Sequence, residues 1–169
     1  IHEGSHAIAA ELVGGDVVDV HLWPGRNPYN GAFQLGWTRV RGVQGTGKRL
    51  FFLMAPRITD LALLGGYAVL RAVDSPDNDW AQLAIQVFAT GLVVDFAKDI
   101  FLWNPHNDVI RFYAALGFDR EWKRFPLRIV HAAASAGLGY LVWRGWRDLF
   151  AENDNGALMT SAPLISGSF

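Results

Sequence analysis

The stretch Trp122–Trp146, WKRFPLRIVHAAASAGLGYLVWRGW, decides the fold class of this chain. Its charge-free centre, Ile129–Trp143, would form a helix about 22 Å long, which is shorter than the ~30 Å hydrocarbon core of a bilayer. With its flanking turns the run reaches spanning length, and Trp side chains stand at both ends, as in the aromatic belt of membrane helices. Its centre is rich in Ala and Gly, which allow close helix packing in lipid but weaken a helix in water.

Two further runs, Arg49–Val73 and Trp80–Trp103, are also apolar and about long enough to span a membrane. We therefore predict a mainly α-helical, integral membrane protein, a polytopic bundle of three to four long helices. The alternative is a soluble helical protein in which these runs form the core. Charges inside the runs lie three or four residues apart, so in lipid they would pair on one helix face and point into the bundle. They are Arg57, Asp60, Asp95, Lys98 and Asp99.

Length, charge and cysteine content limit the function further. The chain has 169 residues, which suits one domain, and its net charge of −1 argues against a nucleic-acid partner. Because Cys is absent, any metal must be held by His and carboxylate side chains. We predict one domain over residues 1–150 and a polar, flexible tail over 151–169. The start at Ile1 leads us to expect an internal fragment, truncated at its N-terminus.

The N-terminal third predicts a helix followed by a β-hairpin. His2–Val13 contains good helix formers and is stopped by two glycines, Gly14-Gly15. Asp16–Leu22 alternates and is rich in Val, which predicts a strand. Trp23–Gly31 holds Pro, Gly and Asn, which indicate a loop, and Ala32–Val43 predicts the returning strand. The hairpin, at about 16–43, is thus inserted after the first helix.

The motif that carries chemistry is His2-Glu3-Gly4-Ser5-His6, which matches H-E-x-x-H. Residues four apart share a helix face, so His2 and His6 can bind one ion, and Zn²⁺ is the expected cofactor. Glu3 can then act as the general base that takes a proton from a water molecule on the metal. The alternative is a helix start with two exposed histidines and an acid favoured by the helix dipole.

A third ligand is needed, and the common soluble zinc-protease patterns do not supply it. Ala9 and Leu12 stand where the longer H-E-x-x-H-x-x-G-x-x-H pattern has Gly and His. The residues themselves leave several candidates far along the chain. These are Asp60, Asp95, Asp99 and Asp108, with His21, His106 and His131 as weaker options.

Taken in order, these elements resemble the site-2 protease family of intramembrane zinc metallopeptidases. Members of that family place H-E-x-x-H in a membrane helix, often with small residues after it, as in His2–Ala10. A glycine break and β-strands often follow, and Met54–Thr59 is similar to the family's G-P-x-x-N motif. Asn104–Asp108 is similar to the later segment whose D-G supplies the third ligand, although Val109 replaces that Gly.

The resemblance implies a zinc endopeptidase that cleaves a membrane-protein or peptide substrate in or beside the lipid bilayer. It makes Asp108 the leading third ligand, with Asp99 and Asp95 as alternatives and a helix N-cap as the competing role of Asp108. We expect Asn104 to contact substrate or line a water path, and an edge of the hairpin to accept an extended substrate strand. Two other functions stay open: a soluble H-E-x-x-H peptidase, and a non-catalytic membrane scaffold with a vestigial motif.

Overall fold

The computed structural model describes residues 1–29, 31–73, 76–101 and 107–152, and these residues are mainly helical. In chain order the elements are α1 (His2–Leu12), β1 (Asp16–His21), β2 (Gly25–Arg26), β3 (Phe33–Gln34), β4 (Trp37–Arg41), α2 (Thr46–Val73), α3 (Asp79–Lys98), α4 (Asp108–Ala115) and α5 (Glu121–Glu152). The predicted class, a mainly helical fold with strands after the first helix, is confirmed. Residues 102–106 and 153–169, which include Asn104, His106 and most of the predicted tail, lie outside the described part.

The first helix ends one residue before the predicted end, and two glycines make the turn that follows. Gly14 has a φ of +76°, a conformation that residues with a side chain rarely adopt. The Gly15 amide donates to the Ala10 carbonyl at 2.8 Å, and a Cβ on Gly15 would lie 2.8 Å from the Arg41 carbonyl oxygen. The turn therefore places the strands directly against α1.

The predicted hairpin is present, but its strands form two small antiparallel sheets. β1 pairs with β4, with an irregularity between Val17 and Asp19, while β2 pairs with β3. The prediction of a single returning strand over Ala32–Val43 is therefore wrong, and the loop predicted over Trp23–Gly31 contains the short strand β2. The break falls next to Gly36, where the backbone passes so close to α1 that a Cβ would lie 2.8 Å from Cγ of Glu3.

The three long helices predicted from the apolar runs are present as α2, α3 and α5. The last begins at Glu121, one residue before the stretch Trp122–Trp146. Arg124 ties the first turn of this helix to the residues before it, because its guanidinium donates to the carbonyls of Phe118 and Asp119 at 2.7 and 2.8 Å. A short further helix, α4, runs from Asp108 to Ala115.

The core of the bundle lies between α2, α3 and α5 and contains a polar contact. Its buried members are Leu64, Tyr67, Ala89, Leu92 and Val142. Gln86, only 2% exposed, accepts a hydrogen bond from the Tyr67 hydroxyl at 2.8 Å and donates to the Val142 carbonyl at 2.7 Å. These contacts tie the three helices together at one level.

The same three helices are long and apolar enough to cross a membrane. Their most apolar windows are only 39, 22 and 17% buried within the protein, in chain order. Large apolar side chains point outward along them, among them Ile58, Val87, Phe88, Ile129 and Trp143. A protein surrounded by water rarely exposes so much contiguous apolar surface, so the surface is compatible with a lipid environment.

Candidate metal centre

α1 and α4 bring the two histidines of the motif and one aspartate to a single point. The helix period puts His2 and His6 on one face, with ring centroids 5.2 Å apart. Asp108, the first residue of α4, places its Oδ2 2.9 Å from His6 Nε2 and 3.7 Å from His2 Nε2. One ligand atom from each residue lies within 4.8 Å of the others. The predicted group of His2, His6 and Asp108 is therefore assembled although 102 positions separate its last two members.

The other nitrogen of each histidine has its own partner. His6 Nδ1 donates to the Phe52 carbonyl at 2.9 Å, and His2 Nδ1 donates to Asp95 Oδ2 at 3.1 Å. A carbonyl can only accept, so the hydrogen of a neutral His6 is on Nδ1 and its Nε2 carries a lone pair. That lone pair faces a carboxylate oxygen, and two acceptors this close require a proton or a metal cation between or beside them. The donor set therefore fits a cation.

Asp108 reaches the histidines because its neighbour caps the helix. Asn107 Oδ1 accepts hydrogen bonds from the amides of Val109 and Ile110, at 2.9 and 3.2 Å. The helix-cap role considered for Asp108 thus belongs to Asn107, and the Asp108 carboxylate points at α1 instead. Burial raises the pKa of Asp108, but its close contacts with the His2 and His6 rings outweigh burial and hold this pKa well below its usual range. Asp108 is therefore a carboxylate at neutral pH.

His2 has an unusually high affinity for a proton in the metal-free chain. Burial alone lowers the pKa of His2, but the neighbouring carboxylates of Asp108 and Asp95 outweigh burial and raise the pKa to about 9. At neutral pH a metal ion must therefore displace a proton from this ring.

Glu3 is held by the strands, which sequence reasoning did not foresee. The Thr38 hydroxyl of β4 lies 2.8 Å from Glu3 Oε2 and 2.9 Å from the Glu3 carbonyl oxygen. Gly36, just before β4, leaves room for the Glu3 side chain. Neither residue belongs to a motif, and the single hint is the glycine inside a predicted strand, which often marks a close backbone approach.

A cleft of about 460 Å³ opens at this group of residues. One wall contains His2, Glu3 and Asp108, and the other comes from the residues between β1 and β4, including Leu22 and Leu35. Both leucines are largely exposed. A segment of another chain can thus approach the candidate base and the candidate ligands from the same side.

The other candidate third ligands are committed elsewhere. Asp99 pairs with Arg57 Nε at 2.8 Å and accepts from Asn107, while Asp60 pairs with Arg57 Nη1 at 2.6 Å. Asp95 lies on the far nitrogen of His2, away from the Nε2 atoms. His21 stacks on Trp37, and His131 donates to the Phe96 carbonyl. His106 and the predicted substrate contact Asn104 lie outside the described residues.

Comparison with known proteins identifies no relative of this chain. No protein-family model, no curated protein and no solved structure matches this chain.

Proposed function

We propose that this chain is a zinc-dependent endopeptidase of the membrane, acting on a membrane-protein or peptide substrate. The observation that carries the proposal is the convergence of His2, His6 and Asp108, one ligand atom from each lying within 4.8 Å of the others, at a cleft lined by Glu3. The resemblance of the sequence to the site-2 protease family supports the same function. The three apolar helices support an integral membrane location.

The residues fit zinc in type and in spacing. Two imidazoles and one carboxylate with an open fourth position are a common catalytic zinc set. Ligand atoms of a tetrahedral zinc ion, each about 2.1 Å from it, lie about 3.4 Å apart. The distances from Asp108 Oδ2 to the two Nε2 atoms, 2.9 and 3.7 Å, lie on either side of that value. These two spacings are therefore close to the spacing that a bound zinc ion requires.

The proposed mechanism divides the chemistry between the ion and Glu3. Bound zinc would act as a Lewis acid that makes water acidic and polarises the scissile carbonyl. Glu3 would take the proton from the attacking water and pass it to the leaving amine. Thr38 would hold Glu3 Oε2 in place and leave the second carboxylate oxygen for this proton transfer.

The substrate would lie between the ligands and the strands. Gln34, Leu35 and Gly36 line the cleft opposite His2 and Asp108. An extended peptide beside these residues would expose its backbone to Glu3, whereas an intact helix would keep its carbonyls hydrogen-bonded. A membrane-helix substrate would therefore have to unwind locally before cleavage.

A non-catalytic scaffold is the second candidate, and one observation favours it. His2 and His6 already form ion-pair contacts with Asp95 and Asp108, so a protonated site could join the helices without metal. This candidate predicts no zinc, or zinc without turnover. A soluble peptidase is the remaining alternative and predicts that the protein stays in solution without detergent; the exposed apolar helices argue against it.

Metal content tests the proposal first. Zinc per chain is measured by elemental analysis of detergent-purified wild type, His6→Ala and Asp108→Ala. We expect about one zinc in the wild type and loss in both variants. Zinc that survives Asp108→Ala would move the third ligand to Asp99 or Asp95. Absence of zinc from the wild type after reconstitution would overturn the peptidase and favour the scaffold.

Cleavage of a single-span membrane reporter then tests Glu3. Glu3→Gln should keep zinc and lower kcat by about 10²–10⁴-fold, the usual contribution of a general base. Glu11→Gln is the matched control, because it makes the same change at the other end of α1. Activity retained in Glu3→Gln would refute the mechanism.

A further inference from the structure

A buried arginine lies next to the candidate metal centre and contacts three carboxylates. Arg57, in α2, is 3% exposed. Its Nη1 donates to Asp60 Oδ2 at 2.6 Å and to the Asp95 carbonyl at 2.6 Å, and its Nε pairs with Asp99 Oδ2 at 2.8 Å. A guanidinium offers donors in a rigid planar fork, so one side chain can hold groups that approach from different directions. The sequence suggested only its pairing with Asp60.

One branch from Arg57 leads to His2. Arg57 Nη1 lies 3.1 Å from Asp95 Oδ2, and this same oxygen accepts from His2 Nδ1. Lys98 binds the other oxygen of Asp95. With both oxygens held, the carboxylate fixes the His2 ring so that Nε2 points toward Asp108. A carboxylate on the outer nitrogen also makes the ring a stronger metal ligand.

The second branch leads to Asp108. Asp99, held by Arg57, accepts a hydrogen bond from Asn107 Nδ2 at 2.8 Å. Asn107 caps α4 through its Oδ1 and immediately precedes Asp108. The position of Asp99 therefore sets where α4 begins and where the Asp108 carboxylate is presented.

We infer that Arg57 is a positioning residue that holds two ligands of the metal centre in register, His2 through Asp95 and Asp108 through Asp99 and Asn107. The inference rests on the proposed zinc site. It explains why Arg57 is surrounded by more carboxylates than charge neutralisation requires. The inference also treats the two histidines differently. His6 is oriented by a backbone carbonyl, so its position does not depend on Arg57.

Metal affinity measures positioning directly and needs no substrate. Zn²⁺ and Co²⁺ are titrated into metal-stripped, detergent-purified wild type, Arg57→Lys, Asp95→Asn and Asp99→Asn. Arg57→Lys keeps the charge but loses the fork, and the two Asn variants are nearly isosteric. Loss of an outer-shell partner typically weakens metal binding about 10–100-fold, which is the effect we expect in all three. The Co²⁺ absorption spectrum, which reports ligand geometry, should change with it.

The matched control is Asp148→Asn, which removes a carboxylate from an Arg–Asp pair elsewhere in the bundle, 2.7 Å from Arg71. It should leave metal affinity and spectrum unchanged, even if thermal stability in detergent falls. Combining Arg57→Lys with Asp95→Asn should weaken metal binding less than the product of the single effects, because both variants break the same branch, the one that leads to His2.

The outcomes separate the two proposals. A wild type that binds neither metal would overturn both the zinc site and the network's role. A wild type that binds metal, with network variants that match Asp148→Asn in affinity and spectrum, would overturn the positioning role alone. If Arg57→Lys does not fold, the two Asn variants decide the question.

Discussion

Replacing Gln86 by Leu should destabilise the helix bundle far more than a change of similar size at its surface. Gln86 lies between α2, α3 and α5, where the Tyr67 hydroxyl donates to its Oε1 and its Nε2 donates to the Val142 carbonyl. Gly145 leaves the space for this contact, since a Cβ there would collide with both Tyr67 and Gln86. Leu fills nearly the same volume but can make neither hydrogen bond.

The expected cost follows from what each lost contact leaves behind. A neutral hydrogen bond contributes about 1 kcal/mol in water and about 0.6 kcal/mol between membrane helices. The Tyr67 hydroxyl, in a residue only 6% exposed, would also lose its acceptor, which costs about 1–3 kcal/mol. Better burial of the Leu side chain offsets part of this. We expect Gln86→Leu to lower the free energy of unfolding by about 2 kcal/mol.

The assay is reversible unfolding in mixed detergent micelles, with a double-mutant cycle. Tyr67→Phe alone should cost about 1 kcal/mol, because it removes one hydrogen bond. The double variant should cost less than the sum of the two, since no hydroxyl is then left without an acceptor. Additivity within about 0.5 kcal/mol, or a Gln86→Leu variant as stable as the wild type, would refute this account of the core.

Three further predictions concern the site and the core. Gly36→Ala should lower the rate of cleavage but keep zinc bound, because the added Cβ would lie 2.8 Å from Cγ of Glu3. Gly65→Ala is the control, since its added Cβ would meet open space. Equal activity of the two variants would contradict the packing argument. Because the pKa of His2 is raised to about 9, the ring carries a proton below that pH and loses it above, so zinc affinity should rise about tenfold from pH 7 to pH 8. Calorimetric titration of zinc at each pH, in buffers of different ionisation enthalpy, measures the affinity and the proton release. A zinc affinity that does not change between pH 7 and pH 8 would contradict the prediction. Leu64 is fully buried, so Leu64→Ala should lower the free energy of unfolding by about 2–5 kcal/mol in the same assay. A decrease below about 1 kcal/mol would place Leu64 outside the core.

Much of the fold was predictable because its signals are local. The helix from His2, the glycine break after it and the three long helices all follow from runs of neighbouring residues. The strands were predicted less well, because pairing depends on distant residues. The predicted strand Ala32–Val43 is interrupted near Gly36 by its contact with Glu3, which lies on another element.

The candidate site divides in the same way. The spacing of His2, Glu3 and His6 within about one helical turn already places two candidate ligands and a candidate base together. The choice among the distant aspartates could not be made from spacing. It depends on how α3 and α4 pack, which puts Asp95 on the outer nitrogen of His2 and turns Asp108 toward His6.

The sequence by itself determined the helical class, the apolar spans and the motif on α1, because each depends on residues within a few turns of one another. Only the tertiary structure decided which aspartate meets the histidines, that Thr38 contacts Glu3, and that Arg57 contacts both Asp95 and Asp99. These contacts join residues tens of positions apart. Helix packing and buried hydrogen bonds fix them, and no local pattern encodes either.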